Sequence, residues 1–186
     1  MRINCNTSVQ GKLVVLVPYR TEHVPFYHKW MQDPHLQEAT ASEPLTMEEE
    51  YAMQRSWAED EDKLTFIVLD RNRPDTPGTG FHGGAMAGDV NLFLTLGEEE
   101  GGRQAAEVEV MIAEEASRGK GLAKEALRLL MAYASRELGV KRYVAKIHEV
   151  NHPSQRLFEG LGFMEFRRYA IQLQSPNHLS CPPWAL

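Results

Sequence analysis

The chain has 186 residues, enough for one domain, and its 42% hydrophobic content can fill an ordinary core. Against 26 Asp and Glu stand 20 Lys and Arg, so the positive surplus that nucleic-acid binding depends on is missing and a basic peptide is the more natural partner. Cys5 and Cys181 lie at opposite ends in no metal or redox spacing. Met1-Arg2-Ile3-Asn4-Cys5 holds no apolar signal core, and no apolar run approaches the roughly 20 residues of a membrane span, so a soluble cytoplasmic or nuclear protein with reduced thiols is expected.

In chain order, Lys12 to Val17 is β-branched and apolar, ended by Pro18, and predicts a first strand. Thr21 suits the cap of a short helix carrying Val24, Tyr27, Trp30 and Met31 and stopping near Asp33-Pro34. Thr46-x-x-Glu49 is a capping box for a second helix through about Trp57. The aromatics Tyr27, Trp30, Tyr51 and Trp57 on these two helices read as core. Lys63 to Asp70 is a second strand. Arg71 to Ala87, rich in Gly and Pro and without a period, reads as a loop. Asp89 to Leu94 is a third strand, and the acidic stretch through Glu98, Glu99 and Glu100 that follows is either a solvated turn or a lip for a cationic acceptor.

Glu107 to Ala113 predicts a fourth strand, and Leu122 to Leu138 a helix with Leu122, Ala126, Leu130, Tyr133 and Ala134 at helical spacing. Arg142 to His148 alternates, with Tyr143, Ala145 and Ile147 on one side and Val144, Lys146 and His148 on the other, as a fifth strand does. Asn151 or His152 caps a helix with Pro153 in its first turn, Gly162 ends it, and Phe163 to Phe166 begins a sixth strand. His148 and His152 straddle a strand end instead of sharing a helical face, so no metal site is expected.

Between the fourth strand and the long helix lies Arg118-Gly119-Lys120-Gly121-Leu122-Ala123. The first amides of a helix have no partner within it, and the helix dipole places partial positive charge there, so a phosphate is held by main chain alone. Gly119 and Gly121 let the backbone take positive φ and approach a ligand, and Arg118 and Lys120 add charge. A Walker loop needs Lys-Ser or Lys-Thr after its last glycine, where this chain has Leu122; the dinucleotide fingerprint needs Gly or Ala where it has Lys124. The remaining plain alternative is a glycine turn that only caps a helix.

Arg118-x-x-Gly121-x-Ala123 resembles the acetyl-CoA signature of the GNAT (GCN5-related) N-acetyltransferases, carried there between the fourth strand and third helix. Asn151-x-x-Ser154-x-x-Leu157-Phe158-x-x-Leu161-Gly162-Phe163 resembles that family's second cofactor-flanking segment. With Leu13 to Tyr19, Thr40 to Thr46, Thr65 to Asp70, Gly88 to Leu94 and Glu109 to Glu114, the chain is similar to the N-acetyltransferase-nine-like branch over roughly 1–166. The resemblance implies an α/β (α+β, three-layer) acyl-CoA N-acyltransferase fold, a mixed and mostly antiparallel sheet with helices on both faces. One domain is expected over 1–174, and Ser175 to Leu186, which the resemblance does not cover, reads as a coil tail. The usual closing hairpin finds no turn residue in Arg167 to Leu173, which suggests an alternatively ended or truncated form whose last strand is missing or improvised.

The resemblance also implies acetyl-CoA as co-substrate and no metal. Its pyrophosphate would lie on Arg118 to Ala123, its pantetheine arm beside Met111, Ile112 and Ala113, with Asn151, Ser154 and Phe158 flanking. The implied acceptors are protein N-termini, those of α- and β-tubulin among them, with neither nucleic acid nor membrane as partner. Glu107 and Glu109, two apart and therefore on one face, are the candidate general bases. Where many members of that family carry a proton-donating tyrosine this chain has Phe158, so either water or another group such as Tyr143 serves, or the thiolate simply leaves. The amine must be neutral to attack: an α-amine is roughly a tenth neutral at pH 7, whereas a lysine asks for roughly 3 kcal/mol more. Two other readings stay open, a catalytically weak binding module on microtubules and an acetyltransferase for small-molecule amines.

Overall fold

The computed structural model describes residues 2–74, 82–95 and 105–165. Six strands form one sheet in sequence order: β1 (Val9–Gln10), β2 (Val14–Pro18), β3 (Lys63–Asp70), β4 (Ala85–Thr95), β5 (Ala105–Ile112) and β6 (Arg142–Val144). Neighbours are antiparallel except β5 and β6, which run parallel. The helices are α1 (Val24–Trp30), α2 (Pro34–Thr40), α3 (Met47–Glu59), α4 (Leu122–Leu138) and α5 (His152–Glu159).

Because side chains alternate across a pleated sheet, each strand feeds two cores. Val14, Leu16, Leu64, Phe66, Val68, Val90, Leu92 and Val108 pack under α4 with Leu122, Leu127, Leu130 and Phe158 of the helices. Val15, Val17, Ile67, Leu69 and Met111 pack on the other side against Val24, Tyr27 and Trp30 of α1. This explains why β2 and β3 are buried at every residue instead of every second one. The three-layer α/β architecture expected from the sequence is present.

Boundaries differ in instructive places. The Thr46–Glu49 box is formed reciprocally, and Asn151 accepts from the Ser154 amide at 3.2 Å. Gly162 closes α5 through Gly162 N to Glu159 O and Phe163 N to Phe158 O, the pairing of a Schellman turn. Thr21, however, caps nothing: it opens a single 3-10 turn, Thr21–His23, ahead of α1. The first helix does stop just short of Asp33-Pro34, at Trp30, but a second helix follows at once. Asp33 accepts from the His35 amide at 2.9 Å and starts α2, whose single buried residue, Leu36, sets no readable period.

The expected loop 71–87 is strand from Ala85 onward. A bulge between Val68 and Leu69 on β3 leaves Ala87 as an extra residue on β4, which breaks the alternation that marks a strand. The expected fifth strand 142–148 is paired only at Arg142 to Val144, because β5 and the chain after β6 diverge, although Ala145 and Ile147 still pack on the α4 core. Phe163 to Glu165 lie outside any strand. Phe166, the 167–186 segment, Cys181 and the acidic stretch Glu98 to Glu100 lie outside the described residues. Among the described residues, no helix is long and apolar enough to cross a membrane.

Candidate active site

Three features converge where β5 ends. The first is the turn: Gly119 and Gly121 have φ of 71° and 87°, and Gly121 is the N-terminal cap of α4. A Cβ on Gly119 would meet nothing within 4 Å, so the turn opens to solvent with room for a ligand over the first amides of the helix. Arg118, Gly119, Lys120 and Gly121 are exposed, while Leu122, 1% exposed, roots the turn in the core.

The second is the strand end. Arg118 does not reach outward. Its Nε–H donates to the Ile112 carbonyl and its Nη2 to the Ala113 carbonyl, both at 2.8 Å, bracing the turn against the strand. Around it, Ser117 Oγ donates to buried Asp70 at 2.7 Å, and Glu114 takes Trp30 Nε1–H at 2.8 Å and Arg73 at 3.1 Å. On β4, a Cβ at Gly88 would overlap the Met111 carbonyl oxygen, so only glycine permits this approach of β4 to β5.

The third is the cleft. Ala105↔Arg142, Ala106↔Tyr143 and Glu107↔Val144 are the last rungs joining β5 to β6. Beyond Glu107 the edge of β5, including Met111 and Ile112, has no ladder partner on that side among the described residues, which leaves it available to an extended ligand that pairs as a strand does.

Glu107 and Glu109 share the face of the sheet that α1 and α3 cover, two apart on β5. Glu107, 9% exposed, holds Lys146 Nζ at 2.8 Å where β5 and β6 begin to part. Glu109 is solvent-accessible, yet partial burial, then repulsion from Glu107, raise its carboxyl above the usual range, against the pull of Lys63 and Lys146. Solvent screening keeps that rise modest.

The same face carries a buried polar network that sequence reasoning missed. Asp89, 2% exposed, accepts from Asn91 Nδ2 at 2.7 Å and Tyr27 OH at 3.3 Å, and Thr65 Oγ1 donates to Asn91 Oδ1 at 2.6 Å. Lys63, 6% exposed, lies with Nζ 3.0 Å from the Trp57 ring centroid, and burial pushes its pKa down to about 8 although Asp89, Glu109 and Asp60 pull it up. Burial raises the Asp89 carboxyl in turn. The signal was present in Asp89-x-Asn91, polar at period two on a strand beneath helices. The bulge hid which face they occupy.

The remaining sequence candidates are spread differently. At the cap of α5 the Asn151 side chain accepts from the main-chain amide of Ser154. Phe158 is 6% exposed and edge-on to Phe163 at 5.0 Å, in the α4 core. Tyr143, on the opposite face from Glu107, bonds the Met131 carbonyl and Ser135 on α4, each at 2.7 Å, so it is not placed to serve the Glu107 face. Cys5 is exposed on the N-terminal segment, beside an open cavity of about 490 Å³ lined by Arg2, Tyr19, Arg20 and Trp57. None of the residues lining that cavity belongs to the glycine turn or to β5, and the open edge of β5 is the better candidate, because it joins anion-binding amides to carboxylates.

The chain matches the family described as the acetyltransferase (GNAT) domain over residues 14–164. It is a GNAT N-acetyltransferase. Among similar proteins of the family, Alpha/beta-tubulin-N-acetyltransferase 9 of Homo sapiens is 52% identical over 164 residues, 88% of this chain and 78% of that protein. An N-acetyltransferase 9-like protein of Nematostella vectensis is 45% identical over 183 residues, 95% of this chain and 90% of the relative. The fold of this GNAT chain is also that of spermidine N-acetyltransferase from Vibrio cholerae, whose crystal structure is a complex with CoA and spermine. There the TM-score is 0.68 at 18% identity, with 84% of each chain covered.

Proposed function

We propose that this acetyltransferase moves the acetyl group of acetyl-CoA onto the N-terminal α-amine of protein chains, with α- and β-tubulin among its acceptors. The observation that carries this is the open edge of β5, with main-chain phosphate donors at one end and Glu107 and Glu109 at the other. The pyrophosphate fits the amides of Gly119 to Ala123, and the pantetheine amides pair with the β5 edge at Met111 to Ala113. Arg118 is engaged with the Ile112 and Ala113 carbonyls, which steadies the strand end, instead of meeting phosphate.

A β5 amide at the edge polarises the thioester carbonyl as negative charge develops on its oxygen. Glu107 or Glu109 takes a proton from the incoming ammonium, directly or through water, and the free amine attacks without an acyl-enzyme. Neither carboxylate needs much strength for an α-amine, already about a tenth neutral at pH 7. The human relative's name supports tubulin as acceptor.

The test is acetylation of two peptides beginning Met-Arg, the start of tubulin chains: one with a free N-terminus, the other N-blocked with an internal lysine. Acetyl on the α-amine of the first and none on the second is the expected result. Transfer to the internal lysine at a comparable rate overturns the N-terminal assignment, and no transfer to either with measurable acetyl-CoA binding favours the binding-module reading.

A further inference from the structure

The position nearest Glu107 is already taken by an amine. Lys146 follows β6 by two residues, so it continues the face on which Val144 meets Glu107, and its Nζ stands 2.8 Å from Glu107 Oε2. The ladder has stopped by then, so this ion pair sits where β5 and β6 begin to part, at the closed end of the cleft that would hold the thioester. Lys146 is 62% exposed along its side chain and Glu107 11%, so the ammonium reaches in from solvent over a carboxylate fixed in the sheet. An acceptor amine needs the same placement: beside the base, at the open edge of β5.

We propose that Lys146 is itself an acetyl acceptor, modified within its own chain. The inference rests on the acetyl-CoA reading of the cleft. One proton passes from Nζ to Glu107 Oε2; the nitrogen lone pair bonds to the thioester carbonyl carbon and a second proton leaves to water. The carbon–sulfur bond breaks, and its electron pair departs on sulfur, which takes a proton from the Glu107 carboxyl. The sum is one lysine ammonium and acetyl-CoA giving an acetamide, CoA thiol and one proton.

A lysine in water is neutral in about one molecule per 2,500 at pH 7, which explains why lysines in solution are poor acceptors. Well-oriented groups within one molecule reach effective concentrations of roughly 10⁵ M and more, which outweighs that handicap. Once acetylated, Lys146 no longer carries the cation that occupies Glu107, so the base is left open to a second amine.

The experiment incubates the full chain with acetyl-CoA and a Met-Arg peptide together and follows each lysine by peptide mass spectrometry. Lys141, exposed and just ahead of β6, is the internal reference. Lys146 is expected to gain its acetyl at least ten-fold faster than Lys141, with a rate constant unchanged on ten-fold dilution of protein. N-hydroxysuccinimidyl acetate, which needs no cofactor site, should show no such preference. Equal rates at the two lysines while the peptide is acetylated overturn the proposal and leave the enzyme reading intact, and a rate that falls on dilution overturns the intramolecular route. If neither lysine nor peptide is acetylated and calorimetry detects no acetyl-CoA binding, both readings fall.

Discussion

Gly88 shows how much of the site depends on one missing carbon. Any Cβ there meets the carbonyl oxygen of Met111, so β5 would have to shift at the residues that border the cleft. Gly88→Ala is therefore expected to cost about 2 kcal/mol, as overpacking of a fixed backbone does, and to lower Tm by roughly 4–8 °C. A melting curve equal to the parent's would show that β4 and β5 are not in this contact. At this scale the sequence was legible where a local rule applied. Glu107 and Glu109 follow from period two, and the glycine turn from its place between strand and helix. Lys146 was visible only as one member of an alternating run. Its meeting with Glu107 depends on the register of two strands with α4 between them, which no local pattern encodes.

At the scale of elements, α4 does more than pack its stripe on the sheet. Glu125, in its first turn, accepts the amides of Lys12, Leu13 and Val14 at 2.9, 2.6 and 2.9 Å, so one carboxylate holds the turn between β1 and β2 onto the helix that begins at the glycine turn. Removing it leaves three amides without that acceptor. Glu125→Ala should destabilise the chain by about 2 kcal/mol in denaturant titration, and Glu125→Gln, which keeps one carbonyl acceptor, by clearly less. Equal losses for the two would mean that bulk and not hydrogen bonding matters there. The stripe of α4 was readable from its spacing, but the partner of Glu125 lies more than a hundred residues away. The same limit explains the short β1 and α2. Each is held by what it packs on, and two strand residues or one buried leucine carry no period.

Taken whole, the molecule has one apolar side and one polar side. Apart from the buried Asp70–Ser117 pair, the core under α4 is hydrocarbon, whereas under α1 and α3 it encloses Lys63, Asp89, Glu50, Tyr19 and Tyr27, so stability should depend on pH through that second layer. Burial brings Lys63 down to about 8. Above that pH the native state has shed a proton that the unfolded chain keeps until about 10.4, so stability rises with pH across this window. Burial raises both tyrosines, Tyr27 the more deeply enclosed, so near pH 10 the unfolded chain ionises first and stability falls again. Between pH 8 and about 9.5 the parent should gain about 1 kcal/mol, a rise that Lys63→Met removes. Urea titrations at the two pH values measure this, and an identical gain in the variant would assign the rise to other groups. Burial raises the Asp89 and Glu50 carboxyls as well, so they oppose folding more as acid is neutralised.

Arg118 turns its guanidinium inward, onto the carbonyls of Ile112 and Ala113, instead of lining the mouth of the turn. The grip on a diphosphate is thereby left to neutral peptide groups and the exposed Lys120, and fewer mobile counterions would be displaced when one settles there than if both cations faced it. Occupancy of the turn should fall only gently from dilute buffer to physiological salt, where a cradle built of several lysines would let its anion go.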